Sequence, residues 1–307
     1  MPPESFSLLI DEAASATLAA IGDGQRLIEV EFPPLPISKL EDSSLSAYDI
    51  LSANLQFALE FAKRMPMVDG APQKVALTLP DSAERQRAAK FFGDDEPFPG
   101  TQLWSLNGGD ETPEAFSPMA LFGSIFKQGS GQVIPAEWCD MHLIVGASCQ
   151  ELPAIQKLSE LAPNKPLVCF NLKLDVLRGD LGLPAFPPKT IHHEFLCRVK
   201  PVYYLRPRSY SLSLSVPPFL IAYQGVLYRR YPEGWQTLLD RGKSSFRRIE
   251  LADERPNLGT FKSQLTAALK LADEKAAASA ISSAGFKQST WWEDDADRRD
   301  ISKDWRL

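Results

Sequence analysis

Histidine is scarce in this chain, with three residues in 307, and the four cysteines show no C-x-x-C spacing. The adjacent pair His192 and His193 is expected on opposite faces of a strand and His142 on another strand, which excludes an easily assembled metal site. Cys139, Cys149, Cys169 and Cys197 each lie in or beside an apolar run and read as reduced structural thiols. No apolar stretch reaches the roughly 20 residues that a spanning helix requires. The most apolar region, 216–228, is broken by Pro217, Pro218, Gln224 and Gly225. The first residues lack a basic-then-apolar layout and carry Glu4, Asp11 and Glu12, so no leader peptide is expected in them.

Complete phosphate loops are lacking too. Gly242-Lys243-Ser244 matches the end of a Walker A loop, but Thr237 stands where its first glycine belongs. Gly22-Asp23-Gly24 and Gly129-Ser130-Gly131 begin a dinucleotide fingerprint and end on Leu27 and Ile134, so both read as turns.

What the chain does have is tryptophan at its end. Three of its six, Trp291, Trp292 and Trp305, fall in the charge-dense run WWEDDADRRDISKDWRL. Large aromatics contribute most when buried, and so charged a stretch builds no core of its own. The tail is therefore expected to dock, either on its own domain or on a partner. Charge is also uneven. The net charge is −6, which disfavours nucleic acid, yet residues 198–248 hold ten basic side chains against Glu233 and Asp240. Arg206, Arg208, Arg229, Arg230, Arg247 and Arg248 are interleaved there with Tyr203, Tyr204, Tyr210, Tyr223, Tyr228, Tyr231 and Trp235. Such a face suits an acidic partner, anionic headgroups or stacked bases, or is simply the outer side of a sheet.

Periodicity indicates an α/β fold. Phe6, Leu9, Ile10, Ala13, Thr17, Ala20 and Ile21 mark an amphipathic helix over 4–21. Leu27, Ile28, Val30 and Phe32 alternate with Glu29 and Glu31 as a strand with one wetter face. A second helix carries Leu45, Tyr48, Leu51, Leu55, Leu59 and Ala62 after capping oxygens at Asp42, Ser43 and Ser44. Apolar strand, polar turn and helix then recur in 74–92 and 141–161, and a further apolar strand occupies 166–172. The expected architecture is a Rossmann-like, mainly parallel sheet with helices on both faces. Residues 93–119 read as a surface excursion. Beyond Ile191, short antiparallel strands extend the sheet, with Gln224-Gly225 as a hairpin turn. The α/β domain is expected to cover 1–256. Residues 257–307 form a helical, tryptophan-bearing extension whose Ala-rich first part should pack weakly.

The closest approach to catalytic chemistry is Gly146-Ala147-Ser148-Cys149-Gln150, a nucleophile elbow without its last glycine. With Asp175 or Asp180 and then His192 or His193 it keeps the chain order of an α/β hydrolase, although Ser148 also suits a helix N-cap. Ligands in open α/β sheets bind beyond the carboxyl ends of strands, which points to a crevice near Asp81, Ser148 and Asn171. A hydrolase or nucleotide-binding enzyme and an RNA-binding protein are the alternatives to a protein-holding role.

The ordered segments LIEVEFPPLP (27–36), VALTLPDSAERQRAAKFF (75–92), PLVCFNLKLD (166–175), FLCRVKPVYYLRP (195–207) and GVLYRRYPEGWQTLL (225–239), with the WWEDD tail, resemble a plastid and cyanobacterial family of α/β domains without an assigned reaction. The resemblance implies a stromal, peripherally thylakoid-associated photosystem II assembly factor that acts without catalysis or cofactor. Its implied partners are the chlorophyll-binding inner-antenna protein CP43, other assembly factors and the thylakoid insertase. On that reading Trp291, Trp292 and Trp305, with the Arg229 and Arg230 face, contact the partners.

Overall fold

The computed structural model describes residues 1–40, 42, 44–68, 71–107, 132–213, 217, 219–242, 245–271 and 288–307. The chain opens with helix α1 (Phe6–Gly22), capped by the Ser5 hydroxyl, and strand β1 (Leu27–Glu31). A short α2 (Ile37–Leu40) precedes α3 (Ala47–Ala62). The cap of α3 is Ser46, which exchanges bonds with Asp49 in a capping box, and not Asp42 or Ser44; Ser43 lies outside the described residues. A two-stranded hairpin, β2 (Met67–Val68) and β3 (Ala71–Pro72), leads to β4 (Val75–Leu79), α4 (Ser82–Phe92) and β5 (Thr101–Ser105). Then follow β6 (Met141–Ile144), α5 (Leu152–Leu161), β7 (Leu167–Phe170), α6 (Leu174–Asp180) and α7 (Thr190–Glu194). Four long strands come next, β8 (Lys200–Ser213), β9 (Leu220–Arg230), β10 (Trp235–Asp240) and β11 (Phe246–Ala252), before α8 (Leu258–Ala268) and α9 (Trp291–Arg298).

Nine strands make one sheet in the order β11-β10-β9-β8-β1-β7-β6-β4-β5. Strands β5, β4, β6, β7, β1 and β8 run parallel, and β8 to β11 pair antiparallel. The expected architecture is the observed one. On one face Ile28, Val30, Val75, Leu77, Leu143 and Phe170 pack against α1 and α3. On the other, Ile144, Leu167 and Cys169 meet α5, α6 and α7, while Tyr204, Leu227, Trp235 and Leu239 meet α8.

Several local expectations are corrected. Gln224-Gly225 is not a turn but the middle of β9. A Cβ on Gly225 would lie 2.6 Å from Leu265 of α8, so the glycine admits the helix. That close seat also explains why Phe261 and Leu265 are buried in the described first part of the segment expected to pack weakly; its residues 272–284 lie outside the described residues. His192 and His193 lie on α7, not on a strand. The stretch before Gly242 is strand β10; Lys243 and Ser244 lie outside the described residues, as do Gly129, Ser130 and Gly131. Within the expected surface excursion over 93–119, residues 101–105 form edge strand β5, and 108–119 lie outside the described residues. All four cysteines are free and buried. No helix of the described residues is long and apolar enough to cross a membrane.

Candidate functional site: an arginine cluster around Asp175

The alternation of β1 positions the site. Because side chains alternate along a strand, Ile28 and Val30 enter the aliphatic face while Glu29 and Glu31 are delivered to the other, where both are buried. Glu31 pairs in register with Tyr204 on β8, and Tyr204, Arg206 and Arg208 follow at strand period two on that face. Asp175 arrives from the first turn of α6, after the chain leaves β7 through Asn171 and Lys173, both in the left-handed region at φ 51° and 55°. Two bonds fix this exit: the Lys173 backbone N–H donates to Glu31 Oε2 at 3.0 Å, and the Phe32 N–H donates to Asn171 Oδ1 at 2.9 Å.

Asp175 is the hub. Its Oδ2 accepts from Tyr204 Oη at 2.8 Å, Arg206 Nη1 at 2.9 Å and Arg255 Nη2 at 2.5 Å; its Oδ1 accepts from Arg178 Nη1 at 3.0 Å and Arg255 Nη1 at 3.2 Å. Arg208 Nη2 stands 3.7 Å from Oδ2. Burial alone would raise the Asp175 carboxyl, but Arg255, Arg206, Arg178 and Arg208 overcome it and hold the group well below the usual carboxylate range. The neighbouring carboxyls go the other way. Burial pushes Glu31 up to about 8, aided by Glu29, and pushes Glu29 up to about 7 despite Arg178. Four guanidinium groups thus surround one firmly ionised carboxylate. Arg178 is fully buried, whereas the Arg206 side chain retains 31% of its exposure and opens the cluster to solvent.

The tail closes this face. Trp292 and Trp305 are buried with Cys197 and Ala296, and Trp305 lies over the Arg178 guanidinium at 5.5 Å. Trp291 Nε1 donates to the Arg178 carbonyl at 3.2 Å, Trp235 Nε1 to the Arg306 carbonyl at 2.7 Å, and His193 Nε2 pairs with Asp295 at 2.8 Å. Of the two expected modes, docking on its own domain is the observed one, so Trp292 and Trp305 present no exposed adhesive surface. Arg229 and Trp235 are buried as well, with the Arg229 guanidinium 5.3 Å from the Trp235 ring. Burial lowers Arg229 to about 10. Arg229 and Arg230 do not share a face: Arg230 turns to Glu12 and Glu233, as strand alternation requires. Arg247 and Arg248 are exposed on edge strand β11.

The polar candidates at the strand ends already have partners within the protein. Asp81 Oδ1 accepts the Glu84 N–H at 2.8 Å as the N-cap of α4. The Ser148 hydroxyl donates to Glu151 Oε2 at 2.6 Å within a capping box. Asn171 Nδ2 donates to Asn54 Oδ1 at 3.0 Å. Ser148, Asp175 and His192 are not joined into a triad; burial lowers His192 to about 2, and both its ring nitrogens lack a partner among the described residues. Likewise, among the described residues no group of three or more His, Cys, Asp and Glu side chains is placed to hold a metal. Sequence reasoning did not single out Arg178 or Arg255. The available signal was the period-two run Tyr204, Arg206, Arg208 and Tyr210, which places one charged row on one face.

A family model described as a domain of unknown function, DUF1995, matches residues 3–263. The chain belongs to this family. No curated protein and no solved structure matches it. The matched DUF1995 span contains every residue of the Asp175 cluster and ends inside α8, so the tryptophan tail that covers the cluster lies beyond it.

Proposed function

We propose that this DUF1995 protein is a non-catalytic assembly factor of the kind represented by the chloroplast low photosystem II accumulation 3 protein. In this reading it is stromal and peripherally associated with the thylakoid. There it holds the inner-antenna protein CP43 during insertion, together with other assembly factors and the insertase. The ordered sequence segments support the reading, and one structural feature carries it: a two-stranded arm. Strand β8 pairs with β1 only over Lys200–Tyr204, and β10 pairs with β9 only over Gly225–Tyr228, whereas β8 and β9 continue together to Ser213 and Leu220. Near the end of this arm Phe219 and Leu220 are exposed by 60% and 57%. The arm ends in an apolar tip, and Arg247 and Arg248 on edge strand β11 lie level with its base, Arg247 pairing with Leu239 and Leu239 with Gly225; together they suit a partner with apolar and acidic surface.

The grip is thus assigned to the arm and not to the tail. Removing residues 287–307 would uncover Arg178, His192 and Arg255, so truncation disturbs the body itself. The informative experiment is a crosslinking pull-down from thylakoid membranes with the intact chain, Phe219→Ser/Leu220→Ser, and Arg247→Glu/Arg248→Glu. The intact chain is expected to capture CP43 and the insertase. Both variants should stay folded and lose most of that capture; undiminished capture by both overturns the assignment.

A further inference from the structure

The guanidinium groups around Asp175 outnumber what one carboxylate satisfies. Its Oδ2 already accepts from Tyr204, Arg206 and Arg255, so the Arg208 guanidinium is left at 3.7 Å, against the Phe261 ring and with no side-chain hydrogen bond among the described residues. The Nε atoms of Arg208 and of the fully buried Arg178 are enclosed by protein and likewise lack a partner among the described residues. Leaving such donors unsatisfied is costly, and an excess of buried cation costs more. Burial favours the neutral forms of Glu29 and Glu31, which weakens their compensation.

Location and access agree with the charge. Glu31 ends β1 and Lys173 follows β7, so the cluster sits beyond the carboxyl ends of two adjacent parallel strands. These two strands leave the sheet on opposite sides: the chain after β1 passes to α3 on the aliphatic face, and that after β7 to α6 on the other. Such a divergence is where open α/β sheets receive ligands. Asn171 and Lys173, held in left-handed backbone at this exit, mark a local geometry that costs energy and persists at binding sites. The Arg206 and Arg208 side chains, 31% and 23% exposed, form the entrance.

We infer that Arg206 and Arg208, backed by Arg178 and Arg255, bind an oxyanion, the phosphate or carboxylate group of a small molecule, at the solvent-facing side of Asp175. Planar guanidinium groups with spare N–H donors suit such bidentate ligands. The site lies at the base of the arm, where Arg206 and Arg208 pair with Leu227 and Gly225, away from the Phe219–Leu220 tip and the Arg247–Arg248 edge assigned to partner holding, so either assignment can fail alone.

The test is a thermal-shift and calorimetric titration of the full chain with inorganic phosphate, against chloride at matched ionic strength. Phosphate should give saturable stabilisation beyond chloride. Arg208→Gln should weaken it at least tenfold, while the distant Arg247→Gln should leave it unchanged. Should Arg208→Gln fail to fold, phosphate protection of Arg206 and Arg208 from phenylglyoxal, read by mass spectrometry on the wild-type chain, decides the matter. No advantage over chloride, equal weakening by both variants, or unprotected Arg206 and Arg208 would overturn the inference.

Discussion

Strand β1 shows the contrast between the two faces of this sheet within five residues. Ile28 and Val30 join an aliphatic layer sealed by α1 and α3, while Glu29 and Glu31, one position away, enter a layer organised by charge. The first face is held by area removed from water and by close packing, which are non-directional and insensitive to pH. The second depends on one carboxylate that joins α6, β8, the segment carrying Arg255 and, through Arg178, the tail. Packing needs only apolar residues of suitable volume, whereas the charged face needs particular atoms in particular places. A ligand-binding role therefore belongs with the second.

The comparison breaks most sharply at Asp175. Replacing it in Asp175→Asn leaves four guanidinium groups without their anion, and a loss of about 3–5 kcal/mol is expected in urea unfolding at neutral pH. On the aliphatic face, Leu143→Ala should cost about 2–4 kcal/mol, the same at pH 5 and pH 8.5, because only volume and apolar area change. Glu31→Gln sharpens the difference through pH. The folded-state pKa of about 8 lies above the ordinary 4.5. The wild type is therefore spared the cost of a buried charge below pH 4.5 and loses stability as pH rises through 8. The variant should match the wild type near pH 5 and exceed it by on the order of 1–2 kcal/mol at pH 8.5, read from parallel denaturant melts. The smallest effects belong to the strand ends away from the cluster. Asp81→Ala and Ser148→Ala should each cost about 1 kcal/mol as lost caps, visible as small shifts in unfolding midpoint.

The aliphatic face was legible in the sequence because its rule is local: helical spacing in Leu9 to Ala20 and apolar runs in β4, β6 and β7 state which residues are buried, although Phe6, at the start of the same stripe, is exposed. The wetter side of β1 was legible too, in the alternation of Glu29 and Glu31. That this side is buried was not, because its partners are distant in the chain; Asp175 meets Arg255 across 80 positions. Similarly, tryptophans in a charged run announced that the tail docks, while the choice of its own body depended on the geometry of Cys197, Arg178 and His192. Gly225 carried a misleading local signal. Next to Gln224 it resembles a turn, and only the approach of Leu265 shows why a strand interior needs a residue without a side chain.

The most direct test is hydrogen–deuterium exchange over 291–307 in the wild type and in Asp175→Asn. If the tail is part of the charged face, its amides around Trp292 and Trp305 are protected in the wild type and lose protection together with α6 in the variant. Rapid exchange of the tail in the wild type, or protection unchanged by loss of the Asp175 carboxylate, would contradict the account.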